Sequence, residues 1–302
     1  MQFAFEKFQI PYERNFPLAQ HTTFHIGGAA EWGAFPRTIQ QAVLAIRETR
    51  KRNLPYHVIG KGSNLLVSDT GLKGVVVFTN QLAGITCENE QIEVEAGVPL
   101  GKLIAFCQKR GLSGLEALVG IPATIGGAVA MNAGANDVEI ADYIDSVTFY
   151  DVVKDEILKY SKTDFHFAYR HTLCHEREGV ILSATFSLAR KSPSLIRQTI
   201  FEVASLRKAK QPLDYPSAGS IFKRPFPYYA PVLIERAGLK GKCIGDAMVS
   251  TKHAGFIINL GGAKSTDVEY LMKIIQETVY EKFVVCLSPE IVILRDDVAG
   301  NR

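Results

Sequence analysis

Apolar residues recur along this chain with two periods, and their alternation sketches a mixed helix-and-strand protein. Ile39, Ala42, Val43 and Ile46 fall three and four residues apart, so an amphipathic helix is expected over 38–52, with Thr38 as N-cap and basic residues in its last turn. Leu100, Leu103, Ile104 and Cys107 predict a second helix over 99–110, where Pro99 sits near the first turn and Gly111 supplies the stop. A third is expected over 195–210. A fourth opens at Thr266-Asp267-Val268-Glu269, read as a capping box, with Val268, Leu271, Ile275 and Val279 on one face. Runs rich in β-branched residues predict strands at 56–59, 74–78, 92–96, 146–152, 180–189, 254–260 and 290–294. Residues 2–16 show no clear period and read as an N-terminal arm. Lys191-Ser192-Pro193-Ser194 marks a boundary. The layout is two lobes, a larger one to about residue 190 and a smaller one after it.

Composition narrows this picture. At roughly 100–200 residues per domain, 302 residues make two or three compact units. The 34 basic and 31 acidic residues leave a net charge of +3, too small a field to suggest nucleic acid. Five cysteines lie far apart, form no C-x-x-C pair and read as reduced bystanders. The opening residues mix Glu6, Lys7, Glu13 and Arg14 among apolar positions, and the apolar run 119–135 is broken by Pro122, glycines and Asn132. Neither a secretory leader nor a membrane span is expected, and the chain reads as cytoplasmic.

Candidate chemistry sits in a few segments. After the 56–59 strand comes Gly60-Lys61-Gly62-Ser63-Asn64, whose glycines free backbone N–H groups to curl around an anion, or simply make a tight turn. Gly120-Ile121-Pro122-Ala123-Thr124-Ile125-Gly126-Gly127-Ala128, running on to Asn132-Ala133-Gly134-Ala135, is too rich in small residues to be core filling. It suits close backbone approach to an extended ligand, or to another backbone. With Gly27-Gly28 this makes three glycine-rich loops in one lobe, which fits an elongated cofactor. Arg170 beside Tyr169 is either a carboxylate clamp or a surface arginine. Ser220 follows Gly219 at a turn with Lys223 and Arg224 just beyond, but not as G-x-S-x-G, so no hydrolase elbow is supported. Glu290 opens the last strand. His21/His25 and His171/His175 lack the companions of a metal site, so no metal is expected.

Taken in order, these segments resemble the UDP-N-acetylenolpyruvoylglucosamine reductases, flavoenzymes of peptidoglycan precursor synthesis. The resemblance rests on Thr22-Thr23-Phe24-His25-Ile26-Gly27-Gly28, Gly60-Lys61-Gly62-Ser63-Asn64-Leu65-Leu66, Glu95-Ala96-Gly97-Val98 and Gly120 through Ala135. It continues through Tyr169-Arg170, Ala218-Gly219-Ser220-Ile221-Phe222-Lys223-Arg224-Pro225 and Gly255-Phe256-Ile257-Ile258-Asn259. It spans nearly the whole chain from about residue 15.

The resemblance implies an α+β fold: an arm over 1–14, an FAD-binding lobe of the vanillyl-alcohol-oxidase type over 15–190, and a C-terminal α/β substrate-binding lobe over 191–302. The FAD lobe would divide into subdomains of about 15–80 and 81–190. NADPH would reduce FAD, and flavin N5 would deliver hydride to UDP-N-acetylglucosamine enolpyruvate, giving UDP-N-acetylmuramate. Arg170, Ser220 and Glu290 match the family's catalytic arginine, serine proton donor and glutamate. The implied cofactor contacts are Ile59, Gly60, Lys61, Gly62, Ser63, Asn64 and Leu65 in the first loop. From the second come Gly120, Ile121, Pro122, Ala123, Thr124, Gly126, Gly127, Ala128, Asn132 and Gly134, with Val180 beyond. Tyr169, Lys223, Arg224 and His253 are the implied substrate contacts, and a monomer is expected, with no nucleic-acid or membrane partner. The chain departs from the family's pattern at Ala123, at Asn136-Asp137 and at Val292, where an arginine is usual. The short 171–179 segment places it in the subclass without the tyrosine-bearing loop. A same-fold FAD oxidase acting on a sugar or alcohol, or a non-catalytic UDP-sugar-binding protein, are the competing readings.

Overall fold

A computed structural model describes residues 4–296, which build three sheets of four or five strands, each against its own apolar core. The first sheet orders Tyr12–Pro17, Ala29–Ala34, Leu72–Phe78 and Tyr56–Ile59. Its first pair is antiparallel, and both Ala29–Ala34 and Tyr56–Ile59 run parallel to Leu72–Phe78. Helix α1 (Ile39–Arg50) is the crossover such a parallel arrangement needs. Thr38 caps it as the sequence predicts, its hydroxyl accepting from Gln41 N at 3.1 Å. The stretch read as an N-terminal arm contributes to the first sheet and its core. Tyr12–Pro17 is an edge strand, and Phe5 and Ile10 are buried in the first core. An edge strand with one inward residue leaves no period to read.

The second sheet is antiparallel throughout, ordering Glu156–Ser161, Ile144–Asp151, Gly179–Ser187, Gln91–Glu95 and Ile85–Glu88. Helices α2 (Leu100–Arg110) and α3 (Ile125–Ala130) share its core, placing Leu103, Ile104, Ile125 and Val129 with Ile92, Val94 and Phe149. Gly111 ends α2 in the left-handed conformation, φ +66°, which only glycine adopts without strain. Helix α4 (Pro193–Lys210) then packs along α2, with Ile200 against the second core.

Beyond it the chain makes the third sheet, Ser217–Ser220, Phe256–Asn259, Ala247–Val249 and Cys243–Ile244, whose core is completed by α5 (Ala230–Arg236) and α6 (Ser265–Phe283). The expected capping box of α6 is replaced. The helix begins at Ser265, Asp267 accepts from Lys264 N at 3.0 Å, and Asp69 from the first lobe accepts from Ser265 N at 2.9 Å. Other ties cross in the same way. Phe24, Ile26 and Leu66 enter the third core, Asn259 Nδ2 donates to Phe24 O at 3.0 Å, and Thr23 Oγ1 donates to Ser217 O at 2.7 Å. Finally Val292–Leu294 returns to pair in parallel with Leu65–Val67. The last strand therefore carries Glu290 back against the glycine-rich loop at 60–64. Among the described residues, no helix is long and apolar enough to cross a membrane.

Candidate active site

The segments that meet at this junction enclose a cavity of about 820 Å³. One wall is the 58–65 loop, the second the 120–135 segment, the third the 207–220 stretch, and Glu290, Val292 and Leu294 close the end. The loop geometry explains the glycines. Gly62 has φ +65°, and a Cβ there would stand 2.5 Å from His21 O. A Cβ on Gly60 would stand 2.1 Å from Thr124 Oγ1. The two loops are pressed so close that only hydrogen fits between them, and their backbones form the cavity wall.

Two polar atoms on these walls are buried without a hydrogen-bond partner among the described residues: Thr124 Oγ1 and Arg207 Nε. Such atoms cost free energy unless a ligand satisfies them. Burial lowers the Arg207 pKa, and no carboxylate counteracts that shift. A partly desolvated guanidinium with no counter-charge, facing glycine-rich backbone, suits an anionic group such as the diphosphate of FAD. The residues present therefore fit that cofactor.

Arg170, Ser220 and Glu290, far apart in sequence, all line the same cavity. Arg170 sits at the tip of a tight hairpin with φ +55°, closed by paired backbone bonds between Ala168 and His171 at 3.0 and 3.1 Å. Its Nε donates to Glu290 Oε1 at 2.5 Å, and its other nitrogens donate to Asn132 O at 3.3 Å and Gly134 O at 3.4 Å. Those three bonds use three of the five guanidinium N–H groups. Ser220 ends the edge strand of the third sheet, just after Gly219 at φ +77° and a break in strand register. Such a bulge re-aims the side chain that follows. Glu290 N donates to Ile221 O at 2.8 Å and Lys223 N to Ser288 O at 2.9 Å, so the Ser220 and Glu290 segments run side by side. Asn64 fixes the glutamate from the other lobe, donating to Glu290 O at 3.1 Å.

The sequence-predicted cofactor residues Ile59 to Leu65, Gly120 to Thr124, Gly126, Gly127, Ala128, Gly134 and Val180 lie on the cavity wall. Asn132 does not, and that expectation is corrected. It is fully buried behind the wall, where its side chain bonds Glu139, Ala168 and Ala141. Tyr169, Lys223, Arg224 and His253 lie outside the wall. Arg224 N donates to Tyr169 Oη at 3.2 Å, and its guanidinium covers the Tyr229 ring at 3.9 Å, forming a half-exposed aromatic rim. His253 Nδ1 accepts from Gly255 N at 3.2 Å beside Phe256. Sequence reasoning missed Arg207 and His175, which both line the cavity. Neither belongs to a glycine-rich motif, and Arg207 reads as an ordinary basic residue near a helix end.

Cys174 also borders the cavity, and burial pushes its thiol up to about 12, as it does that of Cys107. Thiolate is the reactive form, so at pH 8 only about one in 10⁴ of either is available. Native-state alkylation with iodoacetamide is expected to label the exposed Cys243 and Cys286 and to spare Cys107 and Cys174 until denaturant is added. Peptide mass spectrometry reads the result, and rapid native labelling of Cys174 would contradict this wall geometry.

A family model described as an FAD binding domain matches residues 32–160, and one described as the UDP-N-acetylenolpyruvoylglucosamine reductase C-terminal domain matches 211–294. A UDP-N-acetylenolpyruvoylglucosamine reductase of Caldanaerobacter subterraneus subsp. tengcongensis is 44% identical over 280 residues, covering 93% of this chain and 92% of that one. The protein of that description from Lactobacillus delbrueckii subsp. bulgaricus is 40% identical over 289 residues, covering 95% and 97%. The crystal structure of UDP-N-acetylenolpyruvylglucosamine reductase from Thermus caldophilus superimposes with a TM-score of 0.80 at 33% identity, covering 95% of this chain and all of that one.

Proposed function

Because this chain belongs to the UDP-N-acetylenolpyruvoylglucosamine reductase family of flavin-dependent oxidoreductases, we propose that it reduces UDP-N-acetylglucosamine enolpyruvate to UDP-N-acetylmuramate at the expense of NADPH. The observation that carries this reading is the convergence of Arg170, Ser220 and Glu290 on one cavity whose 58–65 and 120–135 walls fit FAD. FAD, when bound, would supply the hydride chemistry between the nicotinamide and the enolpyruvyl double bond. The 60–65 and 120–128 loops, with Thr124 and Arg207, would hold it.

The remaining chemistry belongs to the side chains. Hydride addition leaves negative charge beside the substrate carboxylate, and Arg170 is preorganised to stabilise it, its guanidinium anchored by Glu290 and two carbonyls. The adjacent carbon then needs a proton, which Ser220 donates. A serine is a weak acid, but the carbanion-like carbon is strongly basic and the backbone that carries the hydroxyl is fixed against the Glu290 segment. Glu290 orients Arg170 and assists proton delivery to Ser220 from the neighbouring segment. Lys223, Arg224 and Tyr169, at the rim, are suited to the anionic nucleotide diphosphate of the substrate.

The direct test is to purify the protein, record its visible spectrum and follow NADPH oxidation with and without the enolpyruvyl substrate. The expected result is bound flavin, released by acid, and oxidation that depends on that substrate. A protein without flavin, or one oxidising NADPH equally in its absence, would overturn the assignment.

A further inference from the structure

The guanidinium of Arg170 depends on a side chain that lies behind the cavity wall. Arg170 occupies a backbone conformation uncommon for a residue with a side chain, at φ +55°. Such strain persists only where the surroundings fix it. The surroundings here are the 130–134 segment, and Asn132 is its centre. Asn132 is fully buried and itself left-handed, at φ +41°.

Its side-chain bonds account for its amide. Nδ2 donates to Ala168 O at 3.0 Å, at the base of the Arg170 hairpin, and to Glu139 Oε2 at 2.6 Å. Oδ1 accepts from Ala141 N at 3.3 Å. The residue's own carbonyl accepts from the Arg170 guanidinium. One residue thus holds both the foot of the hairpin and its functional tip, and Glu139 fixes the amide so that its donors face the hairpin. Thr172 Oγ1, donating to Ala130 O at 2.9 Å, is a second tie from the same segment. Nδ2 has two hydrogens and both are used, so aspartate could not substitute: it lacks both donors and would face the Glu139 carboxylate.

We propose that Asn132, braced by Glu139, is a positioning residue that sets the Arg170 guanidinium for the charge-stabilising step. The inference rests on the reductase reading, and the two fail differently: if that reading is wrong, the wild-type reduced protein shows no reoxidation by the enolpyruvyl substrate at all.

The test measures the two half-reactions separately by stopped-flow absorbance of the flavin. Asn132→Ala is expected to keep its flavin spectrum and to be reduced by NADPH within about twofold of wild type, while substrate-driven reoxidation slows about 10–100-fold, the penalty for a small misplacement of a reacting group. In the Arg170→Lys background the same substitution is expected to cost less than about threefold, since residues that act through one another are not additive. Glu139→Ala is expected to show a smaller loss with the same dependence on Arg170. Equal losses in both backgrounds would overturn the proposal, as would equal losses in both half-reactions. If Asn132→Ala yields no flavin-loaded protein, the Glu139→Ala cycle decides. If neither variant holds flavin, the residues serve the fold as a whole and the proposal fails.

Discussion

Ser220→Ala protein is expected to be reduced by NADPH at close to the wild-type rate and then to stall, its flavin reoxidised by the enolpyruvyl substrate roughly 10²–10⁴-fold more slowly, the span over which a positioned general acid contributes. The asymmetry follows from the location of the residue. Ser220 sits on the third sheet, at a bulge set by Gly219, and its segment is pinned to Glu290 by backbone bonds that alanine leaves intact. Most of the proposed cofactor contacts lie on the 58–65 and 120–135 walls, so loss of one hydroxyl leaves flavin binding and hydride acceptance in place. What is removed is the proton that makes hydride delivery irreversible, so net reoxidation of the flavin slows although hydride acceptance from NADPH does not. Stopped-flow measurement of both half-reactions gives the result directly. Equal slowing of both would make Ser220 a structural residue and return the proton donor to Glu290 or to water.

Much of this site is legible in the amino-acid order, and the residues that escape do so for physical reasons. The α1 and α2 helices carry both their apolar period and their own end signals, Thr38 and Gly111, so local sequence suffices. The start of α6 is misread because its cap is Asp69, brought from 196 residues away. Helix α3 escapes because its six residues include two glycines, which read as loop. The glycine-rich segments announce close approach, and the structure shows what approaches: Thr124 against Gly60, and a cavity behind both. Asn132 shows the limit of that reasoning. It lies within a ligand-facing run, yet its amide turns away from the cavity to serve the protein. A motif locates a segment but does not say which way one side chain points. Arg207 is the converse, a cavity residue whose surroundings in sequence, Leu206 to Lys210, resemble any basic helix end.

Arg170→Lys keeps the charge and removes the geometry, which makes it the sharper test of how the cation acts. Lysine can still reach a carboxylate as a point charge, but it has no fork with which to satisfy Glu290, Asn132 O and Gly134 O while keeping further donors for substrate. Its ammonium is also more strongly hydrated, so it fits less well where the arginine side chain is only 16% exposed. If Arg170 merely binds the substrate carboxylate, the substitution raises KM and leaves kcat in place, because ground state and transition state lose equally. If it stabilises the charge that hydride delivery creates, kcat and kcat/KM fall together. The second outcome is expected, with a loss of about 10²–10³-fold, or about 2.7–4 kcal/mol, comparable to removal of one preorganised donor from an oxyanion site. Full turnover in Arg170→Lys would mean that bare charge is enough. The anchoring of the guanidinium by Glu290 and by two carbonyls of the 130–134 segment would then have to be explained by folding alone.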